Sequence, residues 1–128
     1  MLYKLREIHM KKMLLILSVV SFGVMASSAQ LAENTKRAIK AFENGKWEEG
    51  FRLSKDADLH DKSIQFYLGM MYANGRGVSK DDSEAVKRWR KAAEQGDAAA
   101  QYNLGAMYAN GFGVAKDDSE AVKWYRKA

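Results

Sequence analysis

The sequence predicts an all-α protein, an α/α solenoid in which antiparallel helix pairs stack into a superhelix. Three observations carry that expectation. The stretch 65–92 recurs 36 residues later as 101–128, with 21 of the 28 aligned positions identical. Self-similarity at a period of about 20–50 residues marks a repeat array. Within each copy, apolar residues fall at helical spacing in two runs separated by a glycine-bearing turn. Each run is bracketed by helix punctuation: Asp61, Asp81, Asp97 and Asp117 at the starts, Asn74-Gly75 and Asn110-Gly111 at the stops. The chain contains no proline, so aspartate and glycine do this work alone.

The leader comes first. Lys4, Arg6, Lys11 and Lys12 precede an uncharged apolar run, Met13 to Met25, and then the small residues Ala26-Ser27-Ser28-Ala29. This is the three-part layout of a secretory signal. Residues 1–29 are read as a signal peptide cleaved after Ala29, which directs the folded part to the periplasm or outside the cell. The competing reading is an uncleaved membrane anchor, since residues 13–32 carry no charge. The net charge of +5 belongs largely to this leader: residues 30–128 hold 17 Lys and Arg against 15 Asp and Glu. With both signs interspersed there is no positive stripe of the kind nucleic acid requires. The absence of cysteine excludes disulfides, thiolate metal sites and cysteine nucleophiles.

Residues 30–60 read as a degenerate helix pair that caps the array. Leu31–Glu43 places Leu31, Ala38, Ile39, Ala41 and Phe42 at helical spacing. Asn44-Gly45 turns the chain, and Trp47 to about Ala57 resumes with Trp47, Phe51 and Leu53.

The first full unit spans 61–96. Its opening helix runs from the Asp61 cap to Asn74, with Ile64, Leu68, Met71 and Tyr72 as the buried stripe and Gly69 admitting a close neighbour. Gly75 suits the left-handed position after a helix. Val78 plugs the crevice between the helices. Asp81 with Glu84 resembles a reciprocal capping box, and Ala85, Trp89 and Ala92 face the core. The second unit, 97–128, repeats these roles and is truncated at its end. Val122, Trp124 and Tyr125 are expected at an open end, so Trp124 and Tyr125 are candidates for end-docking. The chain is then either a piece of a longer array or a domain whose end meets a partner.

The motif LGxMYANGxGVxKDDSEAVKxxRKA, with Leu68, Gly69, Tyr72, Gly75, Gly77, Val78, Asp81, Ala85, Trp89 and Ala92 and their counterparts, resembles the Sel-one-like repeat. That family is related to the tetratricopeptide repeat. The resemblance covers residues 61–128, and 30–60 resemble a tetratricopeptide-like pair. Two departures stand out: Ser79 and Ala115 occupy positions where relatives often carry proline, and the cysteines of some secreted relatives are missing. The resemblance implies a non-enzymatic adaptor in the bacterial envelope, whose concave face holds a protein or peptide. The association of some secreted relatives with β-lactams makes an envelope hydrolase, or a β-lactam- or cell-wall-binding protein, the alternative.

The inner face of such a superhelix is lined by the first helix of each pair. The residues turned away from their own pair are Ser63, Phe66, Met70 and Asn74, and in the second unit Ala99, Tyr102, Ala106 and Asn110. Phe66, Tyr67, Met70 and Asn103 also lie where the copies differ. The candidate partner-binding set is therefore Phe66, Tyr67, Met70, Asn74, Tyr102, Asn103 and Asn110, with the amides placed to bond an extended peptide backbone. The alternative role for the aromatics is packing between units. No catalytic, cofactor or metal site is expected. The Gly-x-Gly loops follow helices and lack a third glycine. Asp81-Asp82 and Asp117-Asp118 are helix caps. His60 has no nucleophile beside it in sequence. Arg88, Arg90, Lys91, Lys123, Arg126 and Lys127 read as a solvated helix face.

Overall fold

The computed structural model describes residues 2–128, with side chains for 2–15 and 27–128. Its elements are α1 (Leu2–Glu43), α2 (Trp47–Ser54), α3 (Lys62–Asn74), α4 (Asp82–Glu94), α5 (Ala98–Asn110) and α6 (Asp118–Lys127), and no strand occurs among the described residues. Consecutive helices pair as α1 with α2, α3 with α4 and α5 with α6. The second helix of one pair packs on the first helix of the next, α4 on α5 most extensively. This is the expected solenoid of helix pairs.

Asp61, Asp81, Asp97 and Asp117 cap their helices as expected, each side chain accepting backbone N–H groups of the first turn. Gly75 and Gly111 close α3 and α5 at φ of 63° and 68°, a region glycine enters without strain. The capping box forms only by half. The carboxylate of Glu84 turns to Arg88 at 2.8 Å, and the N–H of Asp81 instead donates to the Tyr72 carbonyl at 2.9 Å. Asp117 donates to Tyr108 O at the same distance. Each Gly-x-Gly loop is thus clamped across its base by one backbone bond.

The first helix differs from expectation at its start. It begins at Leu2 and runs unbroken to Glu43, because nothing between the basic residues and Lys40 interrupts an α-helix except the single glycine at 23. Leu31 is exposed. The centre of the expected signal peptide, residues 16–26, lies outside the described side chains. Among the described residues no helix is long and apolar enough to cross a membrane. The second helix stops at Ser54, short of the expected Ala57, although Ala57 is still buried.

Two cores lie between the units. The first joins Ala38 and Phe42 of α1, Leu53 of α2, and Ile64, Leu68 and Met71 of α3. The second joins Ala85, Trp89 and Ala92 of α4, Leu104, Met107 and Tyr108 of α5, and Ala121 and Trp124 of α6. The glycines set how closely these elements approach. A Cβ on Gly69 would stand 2.5 Å from the Trp89 indole, and one on Gly105 would stand 2.9 Å from the Tyr125 ring. The tightest case is Gly113, where a Cβ would lie 2.3 Å from the carbonyl carbon and oxygen of Asp82.

These distances order the cost of alanine. Gly113→Ala adds backbone overlap to left-handed strain and should cost about 3 kcal/mol or more. Gly69→Ala pushes a buried indole but gains helix propensity, for a net loss of about 1–2 kcal/mol. Gly105→Ala meets a partly exposed ring that can move, and should stay within about 1 kcal/mol of wild type. Urea midpoints of the three variants check the order; equal midpoints would contradict it.

Candidate functional site

One polar position fixes the register of the three first helices. Thr35, Gln65 and Gln101 are each buried and each hold a neighbouring loop or helix end. The Thr35 hydroxyl accepts from Asp58 N at 2.8 Å and donates to Leu31 O. Gln65 Nε2 donates to Leu59 O, and Gln101 Nε2 to Ala93 O at 3.1 Å. The sequence reading passed over both glutamines. Their identity in both copies, inside a buried stripe, was the available signal.

In that register Lys36 and Lys40 of α1, Phe66 and Met70 of α3, and Tyr102 and Ala106 of α5 occupy one row. Asn74 and Asn110 close it. Both asparagines are exposed, and their Nδ2 groups donate to Met70 O and Ala106 O within their own helices, each at 2.8 Å. Their side-chain oxygens remain as acceptors for a partner's N–H. Tyr102 is 60% exposed.

The other candidates lie in contacts between neighbouring units. Phe66 and Met70 are half-buried against the second core. Tyr67 stacks on Phe42 with ring centroids 5.1 Å apart and meets Trp47 edge-on at 6.3 Å. Asn103 Nδ2 lies 4.0 Å from the Met70 sulfur.

The differences between the copies follow the same pattern. At 67 and 103 the preceding unit presents Phe42 in one case and Met70 in the other. At 89 and 125 the following surface differs: Trp89 is 5% exposed under the second unit, whereas Tyr125 is 38% exposed. Arg76 lies 4.9 Å above the Trp47 ring, while Phe112 is exposed. Nothing in the structure explains the exchange of Ser79 for Ala115, both exposed.

Two expectations are corrected. Trp124 does not face the end of the array. It is 8% exposed within the second core, with its indole N–H buried and unpartnered among the described residues, a cost of about 1–3 kcal/mol. Val122 and Tyr125 do lie exposed there. Nor are Arg88 and Arg90 simply solvated. Arg88 is half-buried against Glu84, and Arg90 donates to the Tyr108 hydroxyl at 2.6 Å across the unit boundary.

No group of three or more His, Cys, Asp or Glu suited to a metal occurs among the described residues. His60 is exposed in the turn before α3, where its backbone N–H is held by Asp58.

Stacked helix pairs with exposed residues along the first helices define a helical-repeat scaffold. The Sel1 repeat model matches residues 64–97 and 98–128, slightly more than half of the sequence, and the chain belongs to the Sel1 repeat family. Among solved structures it is similar to a Sel1 repeat protein from Oxalobacter formigenes. The two share 40% identity at a TM-score of 0.70, over 74% of this chain and 38% of that one. It is also similar to a protective antigen of uropathogenic Escherichia coli strains displaying an SLR fold, at 30% identity and a TM-score of 0.68, over 84% of this chain and 24% of that one. The chain therefore spans well under half the length of either relative. No curated protein matches it.

Tyr67 offers a check on the inter-unit packing. Burial raises its phenol pKa above 10.0, and the charges of Glu43 and Asp97 raise it further. The folded state thus holds the proton more tightly than the unfolded state. This contribution is intact below the normal value and is lost as pH rises through it toward the folded one. Wild type should lose more stability than Tyr67→Phe between about pH 9 and 11. Parallel urea-midpoint curves would show that the ring is not held where the structure places it.

Proposed function

We propose that the chain is a non-enzymatic scaffold of the bacterial cell envelope that binds a protein or peptide along the row of its first helices. Sel1 repeats generally mediate protein–protein interactions. The observation that carries the reading is the row itself. Lys36, Lys40, Asn74, Tyr102 and Asn110 are exposed on three helices held in one register, and Phe66 and Met70 present their uncovered edges between them. A row of apolar edges with amide acceptors at intervals suits an extended backbone. Export rests on the layout of residues 1–29. Removal of these residues leaves 30–43, a first helix within one residue of the length of α3 and α5.

The test is capture from envelope extract with the tagged chain and an Asn74→Arg/Ala99→Arg variant, with the intact mass of the recovered protein measured alongside. Both positions are exposed, so the variant should keep its stability within about 0.5 kcal/mol. It is expected to lose the captured protein, on a chain whose mass begins at Gln30. Equal capture by the variant would remove the row as the binding surface, and a retained leader would replace the cleaved signal with an uncleaved anchor.

A further inference from the structure

The first-helix row changes character along its length. α5 carries no charged side chain, and α3 carries only Lys62, its first residue. At the two positions where α3 presents Phe66 and Met70, α1 presents Lys36 and Lys40. Both lysines are exposed, and neither pairs with a carboxylate among the described residues. The carboxylates around them are placed elsewhere. Glu33 lies one turn before Lys36, and Glu43 nearly one turn after Lys40. Asp61 accepts from the Ser63 and Ile64 N–H groups as the α3 cap, and Asp58 accepts from the His60 N–H. Lys36 and Lys40, one turn apart, thus form a cationic step beside the uncovered edges of Phe66 and Met70.

The distance across that step selects a backbone. α1 packs directly on α3 through the stacked Phe42 and Tyr67 rings, and helices in such contact have axes about 8–10 Å apart. A β-strand returns a side chain to the same face every second residue, after about 7 Å, and again only after about 13 Å. Neither matches the step. A polyproline-II chain returns every third residue, after about 9 Å, and does match it. Its backbone groups are unpaired, so its N–H groups are open to the side-chain oxygens of Asn74 and, in the same register on α1, Asn44. We propose that the row takes a polyproline-II segment of a partner protein in which an acidic residue stands three positions from an apolar one. The carboxylate meets Lys36 and Lys40, and the apolar side chain meets Phe66 and Met70. The assignment rests on the row being the binding surface, and it uses α1 and α3 alone.

The probe is a phage-displayed library of random dodecapeptides, selected on the full chain. The most enriched peptide is then synthesised with a fluorescein label and titrated by fluorescence anisotropy. Enriched sequences are expected to share an acidic residue three positions from an apolar one. A Lys36→Glu/Lys40→Glu chain should bind the peptide at least about tenfold more weakly while keeping its helical circular dichroism. Selection repeated on that chain should replace the acidic residue by lysine or arginine. Peptides that are lost on Asn74→Arg/Ala99→Arg, yet lack the acidic residue and ignore the charge reversal, would overturn this assignment and leave the row standing. An acidic residue fixed at another spacing would overturn the polyproline-II geometry. Peptides indifferent to Asn74→Arg/Ala99→Arg, or a library that yields no saturable binder, would overturn the row and this assignment with it.

Discussion

A carbon atom added to Gly113 would stand 2.3 Å from the backbone of Asp82, and the absence of that atom lets the second unit sit on the first. Around this contact the remaining fittings fall into place. Trp89 fills the space left by Gly69 and donates its indole N–H to Phe66 O at 3.2 Å. Gln101 holds the end of α4 through Ala93 O, and Arg90 closes on Tyr108. With no cysteine in the chain, these contacts and the apolar area beneath them hold the array together. Small repeat arrays bury their cores between units, so the boundary between pairs decides whether either pair is stable.

The same boundary explains why the copies differ. A duplicated unit meets different neighbours on its two sides. Tyr67 faces Phe42 and Trp47 of the cap, whereas Asn103 faces Met70. Trp89 is roofed by the second unit and Tyr125 is not. Variation between copies therefore reads first as adaptation to neighbours, and only the residues left exposed remain for a partner.

Much of this was legible in the sequence. The doubled motif gave the helix pairs, aspartate caps and glycine stops gave most boundaries, and the motif gave the family. What escaped it depended on tertiary geometry. Nothing in the helical period told Trp124 from Tyr125, one buried and the other exposed, since at three and four residues from the buried Ala121 both flank the same stripe. Half-burial of Phe66 and Met70 likewise depends on how closely α5 approaches, which Gly113 sets from a distant loop. The continuous α1 arose from an absence of breakers between its basic start and Lys40.

The central claim is that the buried and half-buried residues that differ between the units are matched to their neighbours rather than to a partner. It is tested most directly by exchanging one such pair, Tyr67→Asn with Asn103→Tyr, and measuring equilibrium urea unfolding. The account predicts a loss of about 3 kcal/mol or more, since the exchange empties the stack on Phe42 and overfills the contact with Met70. A swapped chain within about 0.5 kcal/mol of wild type would contradict it and return these positions to partner recognition.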